Sequence, residues 1–134
     1  MPEFAGRPHL QLTAAADPRR AALDQFEREW GGKPYESVDD MCQGAEIDAV
    51  YVCTPNHLHA EHVISAARNG KHAIVEKPMG LSIEECEAMN EAAERYGVKL
   101  LCGHTHSFDP PVRKMREIAR GGELGPLRMI STWH

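Results

Sequence analysis

Short runs of β-forming, apolar residues alternate along this chain with longer segments that have helical spacing. Several runs are almost continuously apolar, which is typical of strands that are covered on both faces. Strands that alternate with helices predict an α/β fold, in which helical crossovers join the strands of a parallel sheet. The candidate strands are Leu10–Ala16, Ala49–Thr54, His72–Val75, Val98–Cys102 and Leu127–Trp133.

Proline, glycine and capping residues mark the helices between these strands. Asp17 offers a cap and Pro18 a first helical residue, and Ser82 and Glu85 have the spacing of a capping box. Glycines follow the expected helix ends. The predicted helices cover residues 18–30, 38–43, 59–69, 83–96 and 110–120.

Composition excludes several classes of function. The chain has 15 Lys and Arg residues against 20 Asp and Glu residues, a formal net charge of −5, which argues against nucleic-acid binding. It has neither an apolar run of about 18 residues nor a secretory leader, so we expect a cytoplasmic protein without a membrane partner. The cysteines are scattered and the histidines lack zinc-motif spacing, so we expect no metal site.

Candidate site residues follow the predicted strands. In doubly wound sheets, ligands bind at the carboxyl ends of the strands. A carboxylate such as Asp17 can accept both hydroxyls of an adenosine ribose, or it can cap the next helix. Arg19 beside it can accept a 2′-phosphate, which leaves NADP open.

Lys77, between Glu76 and Pro78, follows another predicted strand. A lysine there can donate a hydrogen bond to a substrate oxygen and stabilise developing charge, or it can be a solvated surface residue. Pro78 removes a backbone donor and restricts the turn. His104 and His106 follow the next strand and are candidates for substrate contact.

Two segments resemble the nucleotide-binding domain of the Gfo/Idh/MocA family of NAD(P)-dependent oxidoreductases. Residues 49–59 contain T-P-N-x-x-H, and residues 70–79 contain G-K-H and E-K-P at the matching distance. Residues 121–127 resemble the segment that precedes the substrate domain of that family. Residues 104–111 are most similar to dehydrogenases of the 4,5-dihydroxyphthalate type, which implies a phthalate dihydrodiol as substrate.

The resemblance implies an incomplete Rossmann-like, doubly wound parallel sheet that binds NAD or NADP, with NAD favoured. It places Asp17 at the adenosine ribose and His59 near the nicotinamide. It implies that Lys77 contacts both substrate and nicotinamide ribose as the catalytic group. The other residues implied at the cofactor are Thr54, Pro55, Asn56, Glu76 and Pro78.

The first strand and glycine-rich turn of that family are missing from this sequence. We therefore expect residues 1–126 to be a partial NAD(P)-binding domain and residues 127–134 the start of a substrate domain. Loss of a central strand leaves two unpaired inner edges, so the chain is either part of a longer enzyme or has an altered sheet.

Two functions follow from this reading. The first is a dehydrogenase that transfers a hydride between a hydroxylated small molecule and NAD(P), with this chain alone weakly active or inactive. The alternative is a non-catalytic binding or interaction module on a degenerate Rossmann scaffold. The resemblance also leaves a homo-oligomer open for a full-length protein.

Overall fold

The computed structural model describes residues 9–126, 128–129 and 131. The chain forms two compact units that divide after Gly103. The first unit contains β1 (Ala14–Ala16), α1 (Arg20–Trp30), β2 (Lys33–Tyr35), α2 (Val38–Gly44), β3 (Ala49–Val52), a 3₁₀ turn (Asn56–Leu58), α3 (His59–Arg68), β4 (His72–Val75), α4 (Ile83–Tyr96) and β5 (Leu100–Cys102). The second contains a 3₁₀ turn (Thr105–Phe108) and α5 (Pro110–Gly121).

The strands form two parallel sheets, β1-β2 and β3-β4-β5. Among the described residues, β1 and β3 do not pair with each other. In a Rossmann sheet of order 3-2-1-4-5-6, the first strand lies between the strands that correspond here to β1 and β3. The division between the two sheets therefore falls where that strand would lie, and the predicted incomplete Rossmann-like α/β fold is confirmed for the described residues.

Several predicted boundaries were wrong. The strand β2 was not predicted because Pro34 lies at its centre; a proline has no N–H to donate and is tolerated in an edge strand. The helix expected from Pro18 begins at Arg20. The strand predicted over 10–16 is limited to Ala14–Ala16, and the strand predicted over 127–133 lies largely outside the described residues.

The helices α2, α3, α4 and α5 lie where the sequence placed them, to within about a residue. In α4, the Ser82 hydroxyl accepts a hydrogen bond from the Glu85 backbone N–H, as predicted for a capping box. The same helix ends at Gly97, whose φ of 66° lies in the left-handed region that glycine tolerates.

One face of the three-stranded sheet is buried and the other is exposed. Val52 and Val75 point into the core with Val63 of α3 and Met89 of α4, and each is 2% exposed or less. Full burial of each such side chain contributes roughly 1.5–3 kcal/mol to stability. The helices α3 and α4 thus hold the ends of β3, β4 and β5 in fixed register.

Candidate active site

Asp17 follows β1 and forms a close ion pair with Arg19. Its Oδ1 accepts hydrogen bonds from the backbone N–H of Arg19 at 2.8 Å and from Nε at 3.0 Å. Its Oδ2 accepts one from Nη2 at 2.9 Å. The hydrogen bonds from Arg19 hold the pKa of the Asp17 carboxyl below its usual range, so the group is ionised at neutral pH. This i to i+2 turn explains why Asp17 does not cap α1 as the sequence suggested.

The carboxyl ends of β1, β3 and β4 meet at one hydrophobic cluster. Val52 and Val75, the last residues of β3 and β4, belong to this cluster, and Ala16, the last residue of β1, packs against it. The pKa of the Cys53 thiol is raised by loss of solvent and by the negative charges of Glu76 and Asp17. Cys53 directly follows β3, Glu76 follows β4 and Asp17 follows β1. The packing of the three strand ends and the action of both carboxylates on one thiol agree with each other.

Glu76 is held by the strands on either side of it. Tyr51 of β3 donates a hydrogen bond to Oε1, and the Lys77 backbone N–H donates to Oε2 at 3.2 Å. The bond from Tyr51, followed by that from Lys77, lowers the pKa of Glu76. On the other side, a Cβ added to Gly103 would lie 3.3 Å from Oε2. Glu76 is thus an ionised, oriented carboxylate.

The loop after β3 is fastened to the start of α3. The Thr54 hydroxyl lies 3.0 Å from Nδ1 of His62, and the Thr54 carbonyl lies 2.9 Å from Nε2 of His59. Loss of solvent lowers the pKa of His62, with a smaller contribution from His59. Pro55 precedes the 3₁₀ turn, and Asn56, the first residue of that turn, is exposed.

Lys77 lies in the turn after β4, with a cis peptide bond between it and Pro78. The residue is exposed, and within residues 9–126 its ammonium forms no ion pair or hydrogen bond. Its charge nevertheless acts on Glu76 and on Cys102 at the end of β5. Lys77 is therefore a cation beside the converging strand ends, available to an incoming oxygen.

His104 and His106 belong to the second unit. Nδ1 of His106 lies 3.0 Å from Oδ2 of Asp109, and the carbonyl of His104 accepts a hydrogen bond from the Ser107 backbone N–H. Their predicted contact with substrate stays a prediction.

Sequence reasoning did not identify Tyr51, His62 or Gly103. The signal for Tyr51 is the register: it lies opposite Ile74, and Glu76 is two residues further along β4, on the same face. That signal becomes readable once the two strands are known to be parallel.

The described part of the chain has neither a metal-binding cluster nor a membrane-spanning helix. No group of three or more His, Cys, Asp or Glu side chains there is arranged to hold a metal ion. None of its helices has the length and apolar character needed to cross a membrane.

The described residues suit the two ends of a nicotinamide dinucleotide. Oδ2 of Asp17 accepts a single hydrogen bond from Arg19, which leaves lone pairs for a ribose hydroxyl. The Lys77 ammonium supplies donors for a ribose or substrate oxygen near Glu76. The donor and acceptor types at this edge therefore fit such a cofactor.

Known proteins resemble this chain in sequence and in fold. The family model described as "Oxidoreductase family, NAD-binding Rossmann fold" matches residues 2–104. A Comamonas testosteroni protein named 1-carboxy-3-chloro-3,4-dihydroxycyclo hexa-1,5-diene dehydrogenase is 36% identical over 131 residues, which are 97% of this chain and 33% of that protein. The scyllo-inositol 2-dehydrogenase (NAD(+)) of Bacillus subtilis (strain 168) is 36% identical over 123 residues, 88% of this chain and 35% of that protein.

A solved structure is similar to this chain in fold. The scyllo-inositol dehydrogenase of Lactobacillus casei, with bound NAD(H) and scyllo-inositol, has a TM-score of 0.84 and 32% identity, and the match covers 92% of this chain and 37% of that one. This chain thus spans about a third of the length of the relatives it matches.

Proposed function

Because this chain belongs to the Gfo/Idh/MocA family of oxidoreductases with an NAD-binding Rossmann fold, we propose that it forms the nucleotide-binding part of an NAD-dependent dehydrogenase. One observation carries the proposal: the last residues of β1, β3 and β4 pack at one hydrophobic cluster, so Asp17 and Glu76 leave their strands at the same edge. Ligands of parallel α/β sheets bind at this edge.

Asp17 is proposed to bind the adenosine ribose. A carboxylate that keeps free lone pairs can accept hydrogen bonds from ribose hydroxyls. Arg19 fixes its orientation through two side-chain hydrogen bonds. In this proposal the cofactor passes next to Thr54, Pro55 and Asn56, since these residues lie in the segment that follows β3.

NAD is favoured over NADP by the charge at this position. The ionised Asp17 would repel a 2′-phosphate, and the guanidinium that could attract one is already paired with Asp17. This assigns Arg19 the role of orienting Asp17, and its proposed contact with the cofactor is then indirect.

Lys77 is proposed as the catalytic group in the turn formed with Glu76 and Pro78. Oxidation of an alcohol removes a hydride from carbon and a proton from oxygen. NAD, when bound, supplies the acceptor for the hydride, and in this proposal a base from outside this chain takes the proton. A lysine ammonium donates hydrogen bonds, so Lys77 would hold the alcohol oxygen and oppose the negative charge that develops there. Glu76 keeps a compensating negative charge beside it.

The proposed substrate is a vicinal diol on a carboxylated cyclohexadiene ring. The name of the Comamonas testosteroni relative describes such a compound, and residues 104–111 resemble dehydrogenases of phthalate dihydrodiols. Loss of a hydride and a proton from one alcohol gives a hydroxyketone, which tautomerises to the aromatic catechol. His104 and His106 remain candidates for contact with this substrate.

Calorimetric titration of the chain with ADP-ribose tests the nucleotide part of the proposal. We expect Asp17→Asn to weaken binding by roughly tenfold or more, because hydrogen bonds to a charged group contribute about 1.5–3 kcal/mol. Asp24→Asn is the matched control, since Asp24 lies on α1 and pairs with Arg20. Equal affinity of Asp17→Asn and the unaltered chain would contradict the assignment.

The alternative function, a non-catalytic interaction module, has one observation in its favour. Tyr51, Ile74 and Leu101 form a row across the sheet and are 38%, 36% and 50% exposed. Exposed apolar rows of this kind mark interaction surfaces. Light scattering at increasing protein concentration, combined with the ADP-ribose titration, distinguishes the two functions. Self-association of a chain that does not bind the nucleotide favours the interaction module.

A further inference from the structure

His59 lies between the two loops that carry the proposed cofactor and substrate contacts. The residue is 0% exposed. Its Nδ1 lies 2.8 Å from the carbonyl oxygen of Pro78, and its Nε2 lies 2.9 Å from the carbonyl oxygen of Thr54. One imidazole ring therefore joins the start of α3 to the loop after β3 and to the turn after β4.

The chemistry of these two partners restricts the state of the ring. A backbone carbonyl oxygen only accepts hydrogen bonds, and a neutral imidazole has one N–H and one unprotonated nitrogen. The neutral ring would leave a nitrogen lone pair facing a carbonyl oxygen at hydrogen-bond distance. The doubly protonated ring donates to both.

We infer that His59 is a positioning residue that acts as a buried imidazolium, holding the Thr54 and Pro78 carbonyls at a fixed separation. A buried charge is tolerated when it is hydrogen-bonded and has a counter-charge nearby. Both N–H groups are satisfied here, and the charge of His59 acts on the Glu76 carboxylate at the end of β4.

The electrostatic surroundings of the ring come from two elements. The Glu76 carboxylate interacts electrostatically with both His59 and Lys77. His62, one turn along α3, has its pKa lowered mainly by loss of solvent and also by His59, while Glu61 opposes that shift. The positive charge of His59 therefore adds to the loss of solvent in disfavouring protonation of His62.

This position differs from the expected contact of His59 with the nicotinamide. A ring without accessible surface, bonded at both nitrogens, reaches a ligand through the loops it holds. Asn56 lies two residues after Thr54, and Lys77 immediately precedes Pro78. The relevance of His59 to catalysis rests on the proposed function. Its bridging role between the Thr54 and Pro78 carbonyls does not.

Long-range ¹H–¹⁵N NMR of the histidine rings tests the inference without any nucleotide. We expect both His59 nitrogens of the folded chain to carry protons, because each faces a carbonyl oxygen. When the pH is raised until His59 loses a proton, the amides of Asn56, Lys77 and Met79 should shift together with the ring signals. An unprotonated His59 nitrogen throughout the folded range would overturn the inference.

A pair of variants tests the positioning role. Glutamine donates from a single nitrogen and cannot span both carbonyls, so His59→Gln should shift amide signals in both loops. His57→Gln, on the exposed 3₁₀ turn, should shift only its sequence neighbours. Unchanged signals at 76–79 in His59→Gln would contradict the role. If that variant does not fold, the NMR titration of the unaltered chain decides. Failure of the unaltered chain to bind NAD would count against the proposed function and not against the bridging role of His59.

Discussion

The hydroxyl of Tyr51 in β3 donates a hydrogen bond to Oε1 of Glu76 at the end of β4. The two residues lie on the same face of the sheet, because Tyr51 is opposite Ile74 and Glu76 lies two residues beyond it. The bond has two electrostatic effects: it lowers the pKa of Glu76 and raises that of Tyr51 to about 12. It therefore keeps Glu76 ionised and oriented next to Lys77.

Replacement of Tyr51 by phenylalanine should release Glu76. Without the donor that contributes most to its shift, the pKa of Glu76 should rise toward its ordinary value of 4.5. A pH titration of side-chain carboxyl signals by ¹³C NMR measures this change. Tyr96→Phe is the control, since Tyr96 stacks near Arg95 at the end of α4. A Glu76 titration that is identical in Tyr51→Phe and the unaltered chain would refute this account of the pair.

The same bond predicts how stability depends on pH. The raised pKa of Tyr51 makes its contribution complete below the ordinary value of 10.0 and lost as pH rises through about 12. The lowered pKa of Glu76 makes its contribution complete above 4.5 and lost as pH falls through the folded-state value. Urea unfolding of Tyr51→Phe and the unaltered chain should show a difference in free energy that is constant near neutral pH and disappears at both extremes. A pH-independent difference would contradict this assignment.

Gly103 should not tolerate a side chain. A Cβ there would lie 3.3 Å from both Oε2 of Glu76 and the carbonyl oxygen of Val75, and a backbone oxygen cannot easily withdraw. We expect Gly103→Ala to lower the free energy of unfolding by roughly 1–3 kcal/mol, as crowded substitutions do. Gly121→Ala is the matched control, because nothing lies within 4 Å of its added Cβ. Thermal unfolding of the two variants compares them; equal stability would show that Glu76 and its surroundings adjust freely.

Lys77 should matter for the nicotinamide half of the cofactor and not for the adenosine half. We expect Lys77→Gln to weaken binding of NADH by about tenfold, the equivalent of about 1.4 kcal/mol, and to leave ADP-ribose affinity unchanged. Lys99→Gln is the control, because Lys99 precedes β5 and so lies at the opposite end of the sheet. Equal losses for the two ligands, or for the two variants, would argue against a role for Lys77 at the nicotinamide.

Much of this fold was readable from the sequence because its signals are local. The apolar runs of β3 and β4 and the capping residues of α4 each act within a few residues. The strand β2 was not readable, because Pro34 argues against a strand unless the edge position is known.

The site was predicted in part for the same reason. Asp17 directly follows β1 and Lys77 lies in the turn after β4, so their positions at the carboxyl ends of strands could be predicted from the sequence. The approach of Tyr51 and Gly103 to Glu76, and of Pro78 to His59, depends on register and on helix packing. These contacts join residues 19 to 27 positions apart in the chain. Sequence spacing alone does not encode such contacts.

The central claim is that the ends of β1, β3 and β4 form one nucleotide site, and residue-by-residue NMR mapping of NAD binding tests it most directly. The account predicts that NAD shifts the amide signals of Asp17, Asn56 and Lys77 along one common saturation curve, while Lys99 at the other end of the sheet stays unchanged. Unchanged signals at all three strand ends, or shifts that saturate independently of one another, would contradict it.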